Sequence, residues 1–345
     1  MSLSKNKDSK AGDEGRLVVH LNYLDTEAFT AKDSRGLPIK PGEYYGYIPS
    51  GKESSCGTLM SESNGAKATR KVVIQDVRAL KHPDIPRLDT TGFELFMDNL
   101  GSLAGSVYDT STNSEAYVME MEKFLKVSVE TRLRVKVKMV AIFDLQKRNI
   151  GSLNRLSTFD IMGLDQPLSY IHTDYNNMSG VERLRQLATA SQNADFLAPV
   201  NFQPLQSRFR KEGDLEDYMN RKCRFLIVNI WRNGDSSGLP ISRDPLAVCD
   251  PRTVPKESLV EYEVRCPEGL SLYDYHISGG KGDIDCASHG WYFYSKMKLD
   301  ECLMWISHDS FGEFSSVPHT AFALPNQGLV GIRKSIETRA FVFLD

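Results

Sequence analysis

The chain has 345 residues, 41% apolar and 25% charged, the proportions of an ordinary globular protein long enough to bury a large core. Its 42 basic and 45 acidic residues are scattered and leave a net charge of −3, which gives no broad basic surface for nucleic acid or anionic membrane. There is no export signal, no apolar run of bilayer length and no CxxC pair among six cysteines, so we expect a cytoplasmic protein with reduced thiols and no membrane partner.

Residues 1–15 are rich in charge and poor in apolar side chains, and read as a disordered tail. The remainder, 16–345, reads as a single domain whose first part, to about residue 70, is an N-terminal extension. Within it, residues 35–70 abound in Gly, Ser, Lys and Pro and predict irregular loop. Lys71–Arg78 predicts a strand and Gly92–Phe96 a shorter one. From Ser114 to Val127, apolar residues at helical spacing (Tyr117, Met121, Phe124, Leu125) predict an amphipathic helix, with Ser114 and Glu115 at its start. Arg134–Phe143 alternates and then turns wholly apolar, as a strand entering a core does, and a second helix is expected at Val181–Ala190. Beyond residue 220, strands are predicted at Arg224–Trp231, Leu259–Arg265, Gly290–Tyr294, Glu301–Ser307, Thr320–Leu324 and Ile336–Leu344. Turns separate them at Asn233-Gly234, Gly279-Gly280 and Asn326–Gly328. Many short strands without alternating helices point to an antiparallel barrel or sandwich. The chain has no internal repeat and no GxGxxG, Walker or GxSxG motif.

The chemistry concentrates in Tyr170-Ile-His-Thr-Asp-Tyr175. On an extended chain, residues two apart point the same way, so His172 and Asp174 can grip one ion. Two histidines and one carboxylate form the ligand set of non-haem Fe(II) oxygenases, which leave coordination positions open. With seven histidines and 45 acidic residues, a His-x-Asp also arises by accident. The second one here, His82-Pro83-Asp84, lies in a Pro-rich loop and is set aside. The third ligand could be His276, His289, His308 or His319. His319 is preferred because a strand-like segment follows and Arg333 comes fourteen positions later; His308 is second, otherwise a polar loop residue. On the last strand, period two puts Arg333, Ser335, Glu337, Arg339, Phe341 and Phe343 on one face. A guanidinium beside a hydroxyl suits the far carboxylate of a dicarboxylate cosubstrate. Arg339 either reaches the cavity or pairs with Glu337, and Phe341 and Phe343 are either pocket wall or core.

Taken with Asn229-Ile-Trp-Arg232, Asp244–Asp250, Trp291-Tyr-Phe293, Asp309-Ser310, His319–Phe322 and Arg333–Arg339, the pattern HxD, distal His, then RxS resembles a known family. It is similar to the fungal hydroxylase/desaturase family of Fe(II)/2-oxoglutarate-dependent oxygenases, which includes AsaB-like, gibberellin desaturase-like and aziridine- or endoperoxide-forming members. The resemblance runs from about Lys71 to the C-terminus. It implies a mainly β protein with flanking helices, built on a double-stranded β-helix (jelly roll). It implies Fe(II) on His172, Asp174 and His319, and 2-oxoglutarate on Arg333 and Ser335. Dioxygen and a small specialised metabolite or amino acid would be the other partners, with hydroxylation, desaturation or oxidative ring closure as the outcome. Tyr175, Trp231 and Arg232 are candidate substrate contacts together with Arg339, Phe341 and Phe343, although Arg232 could instead pair with Asp244 or Asp250. A homodimer is left open. Two rival readings are an iron oxidase that needs no 2-oxoglutarate and a metal-free jelly-roll binding protein.

Overall fold

The structure, a computed structural model, describes residues 14–26, 44–47, 62–63, 66–110, 114–150, 167–189, 205–209, 213–265, 271–325 and 333–345. The expected tail lies outside these residues except for its last two positions, as does the turn at 326–328.

Fourteen strands are described. The first seven are β1 (Arg16–Asp25), β2 (Tyr44–Tyr47), β3 (Glu62–Ser63), β4 (Ala66–Asp76), β5 (Phe93–Met97), β6 (Val137–Ile150) and β7 (Phe225–Asn233). The remainder are β8 (Leu246–Cys249), β9 (Leu259–Arg265), β10 (Ser271–Ile277), β11 (Trp291–Phe293), β12 (Glu301–Asp309), β13 (His319–Ala321) and β14 (Arg333–Leu344). One sheet runs β5-β12-β7-β14-β6. Facing it are β1-β4-β11-β8-β13 and β10-β9-β2-β3, joined at isolated bridges from His172 to His319 on β13 and to His276 on β10. The result is the expected mainly β jelly roll, with helices on one outer face.

Five strands escaped the sequence reading. β1 pairs antiparallel with β4 from Arg16↔Gln75 to Asp25↔Ala66. It buries Val19, Leu21 and Tyr23 while Val18 and Val73 face outward, a period of two that Lys- and Ser-rich flanks obscured. β4 therefore starts at Ala66 inside the expected loop, and β2 and β3 also interrupt that loop. β8 and β10 were the other omissions. The strand predicted to end at Arg78 stops at Asp76, whose carboxylate accepts from the Arg78 backbone amide and caps a short 3-10 turn.

Helix α1 (Gly101–Thr110) was not anticipated; α2 (Ser114–Leu133) was, and it continues past Val127. It ends where Arg134 takes the left-handed conformation, with φ at 56°. Both helices cover the outer face of the five-stranded sheet through Val107, Tyr117, Met121, Leu125 and Val129. Helix α3 (Ser179–Thr189) matches the second predicted helix closely.

Two bulges set the phase of the inner face. Along β6, Arg339↔Asp144 is followed by Ala340↔Ile142, so Phe143 is the extra residue. Strict alternation would send Asp144 outward with Val140 and Ile142, which pack under the helices. The bulge instead turns Phe143 and Asp144 both inward, and Gln146 and Arg148 follow at period two. Along β12, Ile306↔Val228 is followed by His308↔Ile227, leaving Ser307 as the extra residue.

Candidate metal centre

His172 sits on the segment bridging the two halves of the divided sheet; its backbone donates to the His319 carbonyl and receives the His319 amide in return. The pairing puts the two imidazoles on one side, with ring centroids 4.5 Å apart. Asp174 follows two residues on, and His319 Nε2 lies 3.7 Å from its Oδ2. One ligand atom from each of His172, Asp174 and His319 lies within 4.8 Å of the others, the one such cluster of three among the described residues. Of the four histidines weighed as third ligand, His319 is the one the fold brings beside His172 and Asp174. His308 lies on β12 against the rings of Phe225 and Tyr175, rather than in a polar loop, and His289 contacts the Tyr23 hydroxyl.

Each side chain is oriented from behind. His172 Nδ1 is 3.1 Å from the Tyr170 carbonyl, and His319 Nδ1 is 3.1 Å from the Val317 carbonyl. Only a protonated Nδ1 can donate to a carbonyl, so each Nε2 keeps a lone pair toward the centre. Burial and the neighbouring His319 hold His172 down to about 3, so it is neutral at physiological pH, as a ligand must be.

Both oxygens of Asp174 are held. Arg339 Nη2 donates to Oδ1 at 2.8 Å, Asn229 Nδ2 to Oδ2 at 2.8 Å, and the bulged Ser307 hydroxyl reaches Oδ2 at 3.3 Å. Burial, the largest influence, raises this carboxyl, but the Arg339 guanidinium, His319, His172 and the Ser307 hydroxyl together outweigh it and keep it below the usual carboxylate range. Arg339 also pairs with Asp144 at 2.9 Å and Glu337 at 2.7 Å. It therefore does both things the sequence allowed, pairing with Glu337 and reaching the centre. Asn229, Ser307 and Asp144 were not read from the sequence, because their roles depend on register and on the two bulges.

Arg333 and Ser335 stand on the same face of β14, where Ser335 pairs with Asn233 of β7 and Glu337 with Trp231. Arg333 is 1% exposed, its guanidinium 5.1 Å from the Trp231 ring, and it lines one cavity with His172, His319, Trp231 and Arg148. Its Nε and Nη1 and the Ser335 hydroxyl have no hydrogen-bond partner among the described residues. Buried donors beside a metal-ligand cluster, with nothing to donate to, fit the carboxylate of a keto diacid.

Three expected substrate contacts are placed elsewhere. Arg232 is next to Trp231 on β7 and so points to the opposite face. There its Nη2 is 2.7 Å from Asp98, in place of Asp244 or Asp250. Phe341 and Phe343 share the face of Arg339 but pack fully buried with Phe143, Phe225 and Tyr218, beyond the cavity wall. Tyr175, by contrast, lines a second cavity with Asp174, Arg183, Tyr273 and Arg339. One polar pair went unanticipated. Asp274 Oδ1 and His276 Nε2 are buried 3.6 Å apart without hydrogen-bond partners among the described residues, and the His276 ring stacks on Tyr262 at 3.8 Å. In strand order His172 lies between His276 and His319.

Comparison with known proteins agrees with this geometry. The family model described as an oxidoreductase/YMDC permease-like domain matches residues 42–343. The hydroxylase/desaturase asaB of Aspergillus flavus is 36% identical over 135 residues, 36% of this chain and 57% of that protein. The alpha-ketoglutarate-dependent dioxygenase phiK of a fungal species is 30% identical over 132 residues, 37% of this chain and 44% of that one. The chain thus spans about half the length of these curated relatives. Among solved structures, the iron and alpha-ketoglutarate-dependent endoperoxidase NvfI superposes with a TM-score of 0.61 at 19% identity, over 95% of this chain and 98% of its own. A single-residue variant of the same enzyme reaches 0.65 over 97% and 99%.

Proposed function

The chain belongs to the oxidoreductase/YMDC permease-like domain family, and from that premise we propose that it is a non-haem Fe(II) and 2-oxoglutarate-dependent oxygenase. Its substrate would be a small specialised metabolite or amino acid, oxidised at an unactivated C–H bond by hydroxylation, desaturation or ring closure. The observation that carries the reading is the juxtaposition of the His172–Asp174–His319 cluster with the unpartnered donors of Arg333 and Ser335. It favours the oxygenase over both rivals. A metal-free binding protein has no need of two Nε2 lone pairs kept free beside a carboxylate, and in an oxidase without 2-oxoglutarate Arg333 would have to bind the substrate, which would itself need an anionic group. The names of the curated relatives support it further.

When bound, iron with 2-oxoglutarate and dioxygen would supply the oxidising power for hydrogen abstraction. The protein's share is positioning. His172, Asp174 and His319 would hold the metal on one side and leave the other open. Arg333 and Ser335 would fix the far carboxylate of 2-oxoglutarate and thereby its direction. Arg339, Asn229 and Ser307 hold the Asp174 carboxylate in place so that binding requires little rearrangement. We place the substrate beside Tyr175 in the second cavity and the Asp274–His276 pair, whose unpartnered atoms could receive a donor group. Four cysteines free of disulfides among the described residues (223, 249, 286, 302) support a reducing compartment, the cytosol.

Anaerobic addition of 2-oxoglutarate to the Fe(II)-loaded protein tests the proposal. A metal-to-ligand absorption band in the visible is expected, followed by succinate when air is admitted. Iron uptake without either response would favour the oxidase, and no uptake the binding protein.

A further inference from the structure

We propose that Arg148 is a second guanidinium for the remote carboxylate of the keto diacid, forming with Arg333 and Ser335 a two-arginine clamp. The inference rests on the oxygenase reading and deepens it.

Arg148 is the Cα partner of Ser335 across the β6–β14 ladder, and directly opposed residues project to the same side. It is buried, 6% exposed, and lines the cavity shared by Arg333, His172 and His319. Its Nη2 donates to the Gln146 amide oxygen at 2.8 Å, which fixes its direction along the inner face.

The charge layout of the two strands makes this position informative. Inward-facing acids and guanidiniums are segregated along the ladder. Asp144, Asp174 and Glu337 all gather on Arg339 at the metal end. Arg148 and Arg333 lie at the other end, and their like charges oppose each other. Burial first, and then Arg148, push Arg333 down to about 9, against the partial relief of Asp244 and Glu337. Both guanidiniums face the one cavity, and an anion bound between them would offset the cost of their like charges. The acidic end suits a divalent cation, and the basic end, with the free donors of Arg333 and Ser335, suits a carboxylate. A keto diacid spans the two, and its remote carboxylate has enough oxygen lone pairs for both arginines.

The clamp is tested with Mn(II)-loaded protein and two oxamate probes, by calorimetric titration without turnover. N-Oxalylglycine carries the remote carboxylate and N-methyloxamate lacks it. Arg148→Met should weaken N-oxalylglycine about 10- to 100-fold, the equivalent of one hydrogen bond to a charged group. N-Methyloxamate and Mn(II) affinities should stay within about twofold. An equal loss for both probes would mean that Arg148 only shapes the cavity, and unchanged N-oxalylglycine binding would mean that it plays no part; either result overturns the clamp. Should Arg148→Met fail to fold, Arg148→Lys decides. A loss of about threefold or more confined to N-oxalylglycine supports the clamp, and equal affinity for it refutes it. Failure of the unaltered protein to bind N-oxalylglycine at all would instead refute the oxygenase reading.

Discussion

The two faces of the sheet β5-β12-β7-β14-β6 are made by the same strands and do different work. The outer face, with Ile336, Ala340, Val342 and Leu344 of β14 and Val228 and Ile230 of β7, is apolar and packs under α1 and α2. The inner face of the same strands carries Arg333, Ser335, Glu337, Arg339 and Asn229, nearly all of them buried and charged or hydrogen-bonded. Burying those groups favours a ligand, while burying the outer residues stabilises the sheet. Stability and chemistry are thus separated by the alternation of a strand, and neighbouring residues should respond differently to substitution.

The strongest contrast lies at the centre. His172→Ala or Asp174→Ala should reduce succinate formation to background while the urea midpoint of the metal-free protein stays close to that of the parent. If both variants unfold instead, the triad is structural. Next comes the neighbouring pair Trp231 and Arg232. Arg232→Ala strands Asp98 inside the protein and should cost about 3–5 kcal/mol in urea unfolding, with the 2-oxoglutarate KM of the folded fraction unchanged; a raised KM would place Arg232 in the site after all. Ile336→Ala should cost about 2–5 kcal/mol through the cavity it leaves, again without touching KM. On the inner face Arg333→Met should do the reverse, raising the 2-oxoglutarate KM about 10- to 100-fold with little change in melting temperature. The last effect concerns pH. Burial holds His308 down to about 4 from 6.5, so between those values the unfolded chain binds a proton that the folded one does not. Stability from this group is complete above pH 6.5 and lost as pH falls through 4, at about 1.4 kcal/mol per unit. His308→Gln should flatten that part of a urea-midpoint profile, and a profile indifferent to the substitution would assign the slope to other groups.

Much of this division could be read in the chain. The HxD pair, the distal histidine and RxS are short patterns whose chemistry is local, and period two placed Arg333 through Phe343 on one face of β14 correctly. What escaped was long-range. Asp98 as the partner of Arg232, Asn229 as a support for Asp174, and Arg148 beside Ser335 depend on which strands become neighbours. The two bulges add single residues that no alternation rule foresees: parity with Val140 and Ile142 assigns Asp144, and parity with Met304 and Ile306 assigns His308, to the helix-covered surface that neither occupies. Strands β1, β8 and β10 were missed for a simpler reason, since each is short or flanked by loop-like composition.

The extra residue at Phe143 has a genetic corollary. Upstream of it β6 keeps the phase of the helix-covered layer, and downstream it keeps the phase of the charged ladder. Deleting one codon between positions 139 and 143 would heal the kink and swing either half of the strand inside out, exchanging Asp144 and Arg148 for Leu145 and Lys147. Deleting two would shorten the strand yet preserve both orientations. Indels in this stretch should therefore be tolerated in even steps and rejected in odd ones, a parity that a small deletion library read by soluble expression would reveal.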